Sequence, residues 1–205
     1  KMAPGIAVAA AGHKPSEYTT YPGHPELGLH LIKHLIQNEF DVAQSDSLPQ
    51  GGRSTGVPHS LGFVYGQIMK EAVIPHVPIM LNTFFPPNQP PAARCYKLGK
   101  AIRKAVEAWE SDARVAIIGS GGLSHFVIDE EMDDKIIKAM DSFDEATLGA
   151  IPESYLQSGS SEIKNWIAMT GAVAGTGLTM KLVDYIPCYR SEAGTGTAQG
   201  FAYWD

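Results

Sequence analysis

The feature that most constrains this chain is a repeated change of hydrophobic period. Short, unbroken apolar runs alternate with segments whose apolar residues recur every three to four positions. The clearest helical stretch is Ala92 to Trp109, where Cys95, Leu98, Ile102, Ala105, Val106 and Trp109 form one stripe. Lys97, Lys100, Arg103, Lys104 and Glu107 fall largely outside it. Pro25 to Asn38, with Leu27, Leu31, Ile32, Leu35 and Ile36, repeats the pattern behind a first-turn proline, and His24 serves that helix entry. Glu130 to Phe143 places Met132, Ile136, Ile137 and Met140 inward. A further helix, capped by Ser160 or Ser161, runs to about Ala174. Between these lie strand candidates at Phe40–Ala43, Val77–Phe84, Arg114–Ile118 and Lys181–Ile186. Ile6–Ala11 reads as a strand or loop of the mature fold. The alternation predicts an α/β fold, with helices layered around a sheet that includes Val77–Phe84 and Arg114–Ile118.

Length and charge narrow the function. A chain of 205 residues fits one domain with a full hydrophobic core. Sixteen basic against 22 acidic residues give a net charge of −6, and no Lys/Arg run stands out, which argues against a nucleic-acid partner. No apolar stretch reaches the 18 or so residues of a membrane span. Two cysteines, Cys95 and Cys188, form neither a disulfide framework nor a zinc spacing, so the expected setting is reducing and cytoplasmic. Glycine and proline are abundant (21 and 14), which suits elaborate site-building loops on a regular scaffold.

No nucleophile elbow, P-loop, H-E-x-x-H or C-x-x-C motif is present. What stands out is a strand candidate running into Gly119-Ser-Gly-Gly-Leu-Ser-His125. Ligands of α/β sheets bind beyond the carboxyl ends of strands. Glycines there allow close backbone approach, and an imidazole exchanges protons near neutral pH. On position alone His125 is as readily a cap bonded to a carbonyl as an acid/base group. Glu162 follows Gly159-Ser-Ser161, where a first-turn acid complementing the helix dipole is the plainer reading and a carboxylate metal ligand the sharper one. His59, after the glycine-rich loop Gln50–Gly56, is a candidate substrate or metal contact. His30 and His34 share a helix face that reads as solvated, and His76 reads as a loop residue.

Four segments carry a family resemblance: Tyr21-Pro-Gly-His-Pro-Glu-Leu27, Arg94-Cys-Tyr-Lys-Leu-Gly-Lys-Ala-Ile-Arg103, Gly119-Ser-Gly-Gly-Leu-Ser-His125 and Gly159-Ser-Ser-Glu-Ile-Lys-Asn-Trp166. In this order they resemble the catalytic (beta) subunit family of protocatechuate 4,5-dioxygenase, the class III extradiol ring-cleavage dioxygenases. The resemblance implies a central mixed sheet flanked by helices on both faces. It implies a non-haem Fe(II) enzyme that uses O2 to open a catecholic ring beside its two hydroxyls. Partners would be the catechol, O2, and either further copies or a small partner subunit.

Carried over by residue, Glu162 matches the ligand glutamate and His125 the acid/base histidine. Gly121, Gly122 and Ser124, in the matching turn, are expected substrate contacts, and His59, outside the family's motif, is expected to replace its substrate-contacting histidine. A two-histidine, one-carboxylate face leaves open positions for catecholate and O2. The family's two iron histidines belong to a stretch ahead of anything matching Lys1, so the expectation is one catalytic domain lacking that portion. His13 has no motif match as a replacement. The family's Asp-His-Gly before its Val-Pro is replaced here by Arg53-Ser-Thr-Gly56, with His59 after Val57-Pro58 instead. The substrate expected from this departure differs from protocatechuate. Competing readings are a metal-poor binding protein of the same superfamily and a zinc hydrolase using Glu162 and His125.

Overall fold

The computed structural model describes residues 21–46, 57–70 and 72–205. Ile6–Ala11, His13 and the loop Gln50–Gly56 lie outside them. The chain divides into two compact units, which meet in sequence at Ile79 and Met80.

The first unit holds α1 (Pro25–Gln37) and the short α2 (His59–Phe63), which widens into a π-helical turn over Val64–Ile68. Pro25 occupies the first helical turn, where its missing N–H costs nothing, and His24 Nδ1 accepts from the Leu27 amide at 3.2 Å. The expected role of His24 at the helix entry is therefore seen directly. Leu31 and Leu35 form the buried stripe, whereas Ile36 is more than half exposed. Tyr21, Val57, Val64 and Tyr65 make a small core, and the Tyr65 hydroxyl bonds His76 Nε2. His30 and His34 stack at 4.1 Å, with His34 Nδ1 donating to the His30 carbonyl at 3.1 Å. Phe40–Ala43, expected as a strand, is irregular.

The second unit contains α3 (Ala92–Glu107), β1 (His125–Val127), α4 (Glu130–Asp141), the short α5 (Glu145–Gly149), α6 (Ile163–Val173), β2 (Met180–Tyr189) and β3 (Thr195–Trp204). The strands form an antiparallel sheet in the order β1-β3-β2. The α/β expectation holds at that level, while the sheet among the described residues is antiparallel rather than mixed.

Two expected strands need correction. Val77–Phe84 and Arg114–Ile118 have no strand partners among the described residues. An apolar run becomes a strand only where a neighbour takes up its backbone groups. Here Gln89 Nε2 donates to the carbonyls of Thr83 and Phe84, at 2.7 and 2.9 Å, and Asn82 Oδ1 accepts from the Phe85 amide, folding that segment into a turn. Val115 and Ile118 are exposed.

Helices α3 and α6 pack against each other through their backbones. A Cβ on Gly99 would lie 1.9 Å from the Ala168 carbonyl oxygen, and one on Gly171 would lie 2.2 Å from that of Tyr96. These contacts explain why the buried face of α3 extends past the expected stripe to include Tyr96 and Gly99. The main core gathers Cys95, Tyr96, Leu123, Ile136, Met140, Leu148, Leu156, Ile163 and Ile167. Lys164 is fully buried in this unit and pairs with Glu153 at 2.8 Å. Glu153 also accepts from the Ala92 amide at 2.9 Å, a carboxylate at a helix N-terminus.

Candidate active site

The turn Gly119–His125 is held from three sides. Strand β3 takes one: the Leu123 amide donates to the Ala198 carbonyl at 3.0 Å, and the Ala198 amide to the Ser124 carbonyl at 2.8 Å. Helix α6 takes the second: Asn165 Nδ2 donates to the Ser120 carbonyl at 2.9 Å, and Trp166 Nε1 to the Gly121 carbonyl at 2.8 Å. Helix α4 takes the third through Asp133, whose carboxylate accepts from the Ser124 amide at 3.0 Å and the Ser124 hydroxyl at 2.6 Å. Tyr185 donates to the same carboxylate at 2.8 Å. Burial pushes the Asp133 carboxyl above the usual carboxylate range, against the opposing pull of its bonds from Ser124 and Tyr185.

His125 and Glu162 meet over this turn. His125 Nε2 lies 3.9 Å from Glu162 Oε2, with both side chains only partly exposed. The same Glu162 oxygen accepts from the Gly122 amide at 2.7 Å. Glu162 ends a 3-10 turn, Ser158–Glu162, and precedes α6 without capping it through its side chain. The expected serine caps are also corrected, because both hydroxyls are engaged across the fold. Ser160 Oγ accepts from the His125 amide at 2.9 Å, and Ser161 Oγ donates to Thr83 Oγ1 at 3.1 Å.

His125 Nδ1 lies 2.7 Å from the Leu123 carbonyl. A carbonyl only accepts, so Nδ1 carries the hydrogen, and in the neutral ring Nε2 presents its lone pair toward Glu162. The carbonyl bond foreseen in the plainer reading of His125 thus coexists with a proton-accepting nitrogen.

Glycine is required at three positions. A Cβ on Gly122 would fall 2.5 Å from His125 Cε1, and one on Gly159 2.7 Å from His125 Cβ, Cγ and Cδ2. A Cβ on Gly121 would fall 2.8 Å from Glu162 Cβ. Phe126 (φ 68°) and Ser158 (φ 50°) adopt left-handed backbone beside the site, a conformation that costs non-glycine residues about 1–3 kcal/mol.

A cavity of about 310 Å³ opens beside His125, with Ser124, Tyr155, Gln157 and Ser160 on its wall; Glu162 does not line it. A larger hollow of about 640 Å³ runs along the charged side of α4 and α5 and includes neither His125 nor Glu162. His59 is exposed at the start of α2, in the first unit. Gly121, Gly122 and Ser124 sit in the turn itself, Ser124 buried and bonded to Asp133. Sequence reasoning missed Asp133, Ser160, Asn165 and Tyr185. Their roles depend on contacts between distant segments: Ser160 and Asn165 lie in the Gly159–Trp166 segment, but Ser160 is expected from the sequence only as a helix cap, and Asp133 and Tyr185 carry no local signature.

Among the described residues no group of three or more His, Cys, Asp or Glu side chains could hold a metal ion. Glu162 and His125 alone fall short of a facial triad, so the described residues do not by themselves fit an iron centre.

Residues 12–195 match the family of the catalytic LigB subunit of aromatic ring-opening dioxygenases, and the chain belongs to that family. Among curated relatives, it is 26% identical over 187 residues to a gallate dioxygenase of Pseudomonas putida, covering 82% of this chain and 51% of that protein. It is 32% identical over 128 residues to a 2,3-dihydroxyphenylpropionate/2,3-dihydroxicinnamic acid 1,2-dioxygenase of Azotobacter vinelandii, covering 60% of this chain and 38% of that protein. A Comamonas testosteroni protein of the same name is 33% identical over 100 residues, covering 49% and 29%. The chain spans about half the length, or less, of these relatives.

Proposed function

We propose that this chain carries the acid/base half of an extradiol ring-opening site, in an enzyme that cleaves a catecholic compound with O2. The observation that carries the reading is the meeting of His125 and Glu162 over a glycine turn that has room for neither side chain to move inward. His125 is the acid/base group: its Nε2 takes a proton from a ring hydroxyl and later returns it to the opening ring. The Nδ1–H bond to the Leu123 carbonyl keeps the ring oriented throughout. The cavity beside His125 is the proposed place for the aromatic ring, with Ser124 on its wall, Gly122 against the imidazole and Gly121 against Glu162. Overall, one ring C–C bond breaks next to a hydroxyl-bearing carbon, both oxygen atoms of O2 enter the product, and the ring is oxidised as O2 is reduced.

The family likeness supports Fe(II) as the metal, with Glu162 as one ligand and two histidines from outside the described residues. It also supports one catalytic domain acting as a homo-oligomer or with a small subunit, while the two cysteines without a disulfide framework support a cytoplasmic setting. His59 as a substrate contact rests on the sequence resemblance alone. The test is oxygen uptake and ultraviolet detection of ring-opened product by the whole protein, with gallate, 2,3-dihydroxyphenylpropionate and protocatechuate. Ring opening of any of these supports the proposal. Oxidation to a quinone, or no uptake with iron bound, contradicts it.

A further inference from the structure

One peptide group links the site histidine to a carboxylate buried behind it. The Leu123 carbonyl accepts from His125 Nδ1 at 2.7 Å, and the N–H of the same peptide, on Ser124, donates to Asp133 Oδ1 at 3.0 Å. The two bonds leave opposite sides of one planar unit. In its ionised form, which the bonds from Ser124 and Tyr185 favour against the opposing effect of burial, Asp133 polarises the peptide from its N–H end and makes the carbonyl a stronger acceptor. Asp133 is fully buried, and every donor it meets here is neutral: the Ser124 amide, the Ser124 hydroxyl and the Tyr185 hydroxyl. Ser124 Oγ is committed in turn, accepting from the Asp129 amide at 3.0 Å.

We propose that Asp133 is a positioning residue for His125: through the Leu123–Ser124 peptide it holds the imidazole in its Nδ1–H form, with the Nε2 lone pair toward Glu162. The arrangement is that of a carboxylate–histidine pair with a peptide inserted between the partners. It explains why a carboxylate is kept in the core where an apolar side chain would pack. It also explains why α4 begins so close behind the turn: Asp129 caps the helix, and its first fully buried side chain, Asp133, reaches back to Ser124. The inference deepens the acid/base reading of His125 and draws its importance for turnover from that reading. The tautomer itself is independent of it.

The experiment is nitrogen-15 NMR of the side chain of His125 in the uniformly labelled chain, assigned by loss of its signals in His125→Phe and read in the neutral ring. The wild-type ring is expected to show a pyridine-type Nε2 and a protonated Nδ1. In Asp133→Asn both nitrogens shift toward the values of a tautomer mixture. In Ser124→Ala, which removes the hydroxyl but keeps the amide bond to Asp133, the wild-type pattern persists. Folded Asp133→Asn with an unchanged pattern overturns the proposal. So does a mixed pattern in folded Ser124→Ala, which would place the control in the hydroxyl. If Asp133→Asn does not fold, Ser124→Ala decides alone. A wild-type protein with this tautomer pattern but no ring opening would instead contradict the functional reading and leave the positioning role standing.

Discussion

Glu162 Oε2 is shared between two parts of the glycine turn: it accepts from the Gly122 amide at 2.7 Å and faces His125 Nε2 at 3.9 Å. A single carboxylate oxygen thus ties the start of α6 to the turn that presents the imidazole. The separation from His125 exceeds a hydrogen bond, so the pair is not a closed contact. It leaves the proton-accepting nitrogen addressed to the same space as the carboxylate.

Gly122→Ala and Gly159→Ala should each displace the His125 ring, since the added carbon would fall 2.5 and 2.7 Å from its atoms. Overpacking of this kind costs about 1–3 kcal/mol. Urea denaturation should show a loss in that range, and the His125 ring resonances should move in both variants. Ser160→Ala, which removes only the acceptor of the His125 amide, should cost less, about 1 kcal/mol.

Much of the scaffold was legible in the sequence, because amphipathic helices announce themselves. The helices expected at Pro25–Asn38, Ala92–Trp109 and Glu130–Phe143 all form, shortened by one or two residues at their C-terminal ends. Strand β2 extends the expected Lys181–Ile186. Its partner β3 was hidden, since Thr195-Gly-Thr-Ala-Gln-Gly lacks apolar alternation. Gly196 is there because the Cys188 carbonyl lies where a side chain would stand. The opposite failure occurred at Arg114–Ile118, where an apolar run reads as a strand but pairing is a non-local property. His125 and Glu162 could be singled out by their glycine neighbours, whereas Asp133 could not, because nothing local distinguishes it from the acids around it.

The α3–α6 contact should be the least tolerant part of the fold. Gly171→Ala places a carbon 2.2 Å from the Tyr96 carbonyl oxygen, and backbone at a helix crossing cannot yield as a side chain does. The expected loss is about 3 kcal/mol or more, at the upper end of overpacking costs. Chemical denaturation should show it as a reduced midpoint.

Glu153→Gln should leave the buried Lys164 ammonium without its countercharge. Breaking a buried pair from one side costs about 3–5 kcal/mol, and the lower end applies because Glu153 is partly exposed. Lys164→Met with Glu153→Gln should recover part of that loss, because the uncompensated charge is gone. Thermal denaturation of the single and double variants measures the difference.

The two cysteines should react differently. Burial pushes the Cys95 thiol up to about 11, whereas Cys188 is exposed on β2. At pH 8 a thiol reagent should label one cysteine in the folded chain and both after unfolding. Because the folded Cys95 pKa is raised, its contribution to stability is fully present below the ordinary thiol value. That contribution is lost as pH rises from there through about 11. Cys95→Ala should remove this alkaline component while introducing a small cavity.

The central claim is that His125 moves protons and Glu162 holds the metal of one ring-opening site. The most direct measurement is oxygen uptake with a catechol, alongside metal content, for the whole protein and its His125→Phe and Glu162→Ala variants. The account predicts that His125→Phe keeps its iron and slows by about 10²–10⁴-fold, the usual cost of a lost acid/base group. It predicts that Glu162→Ala loses iron and activity together. Full turnover in His125→Phe, or full iron content in Glu162→Ala, would contradict it.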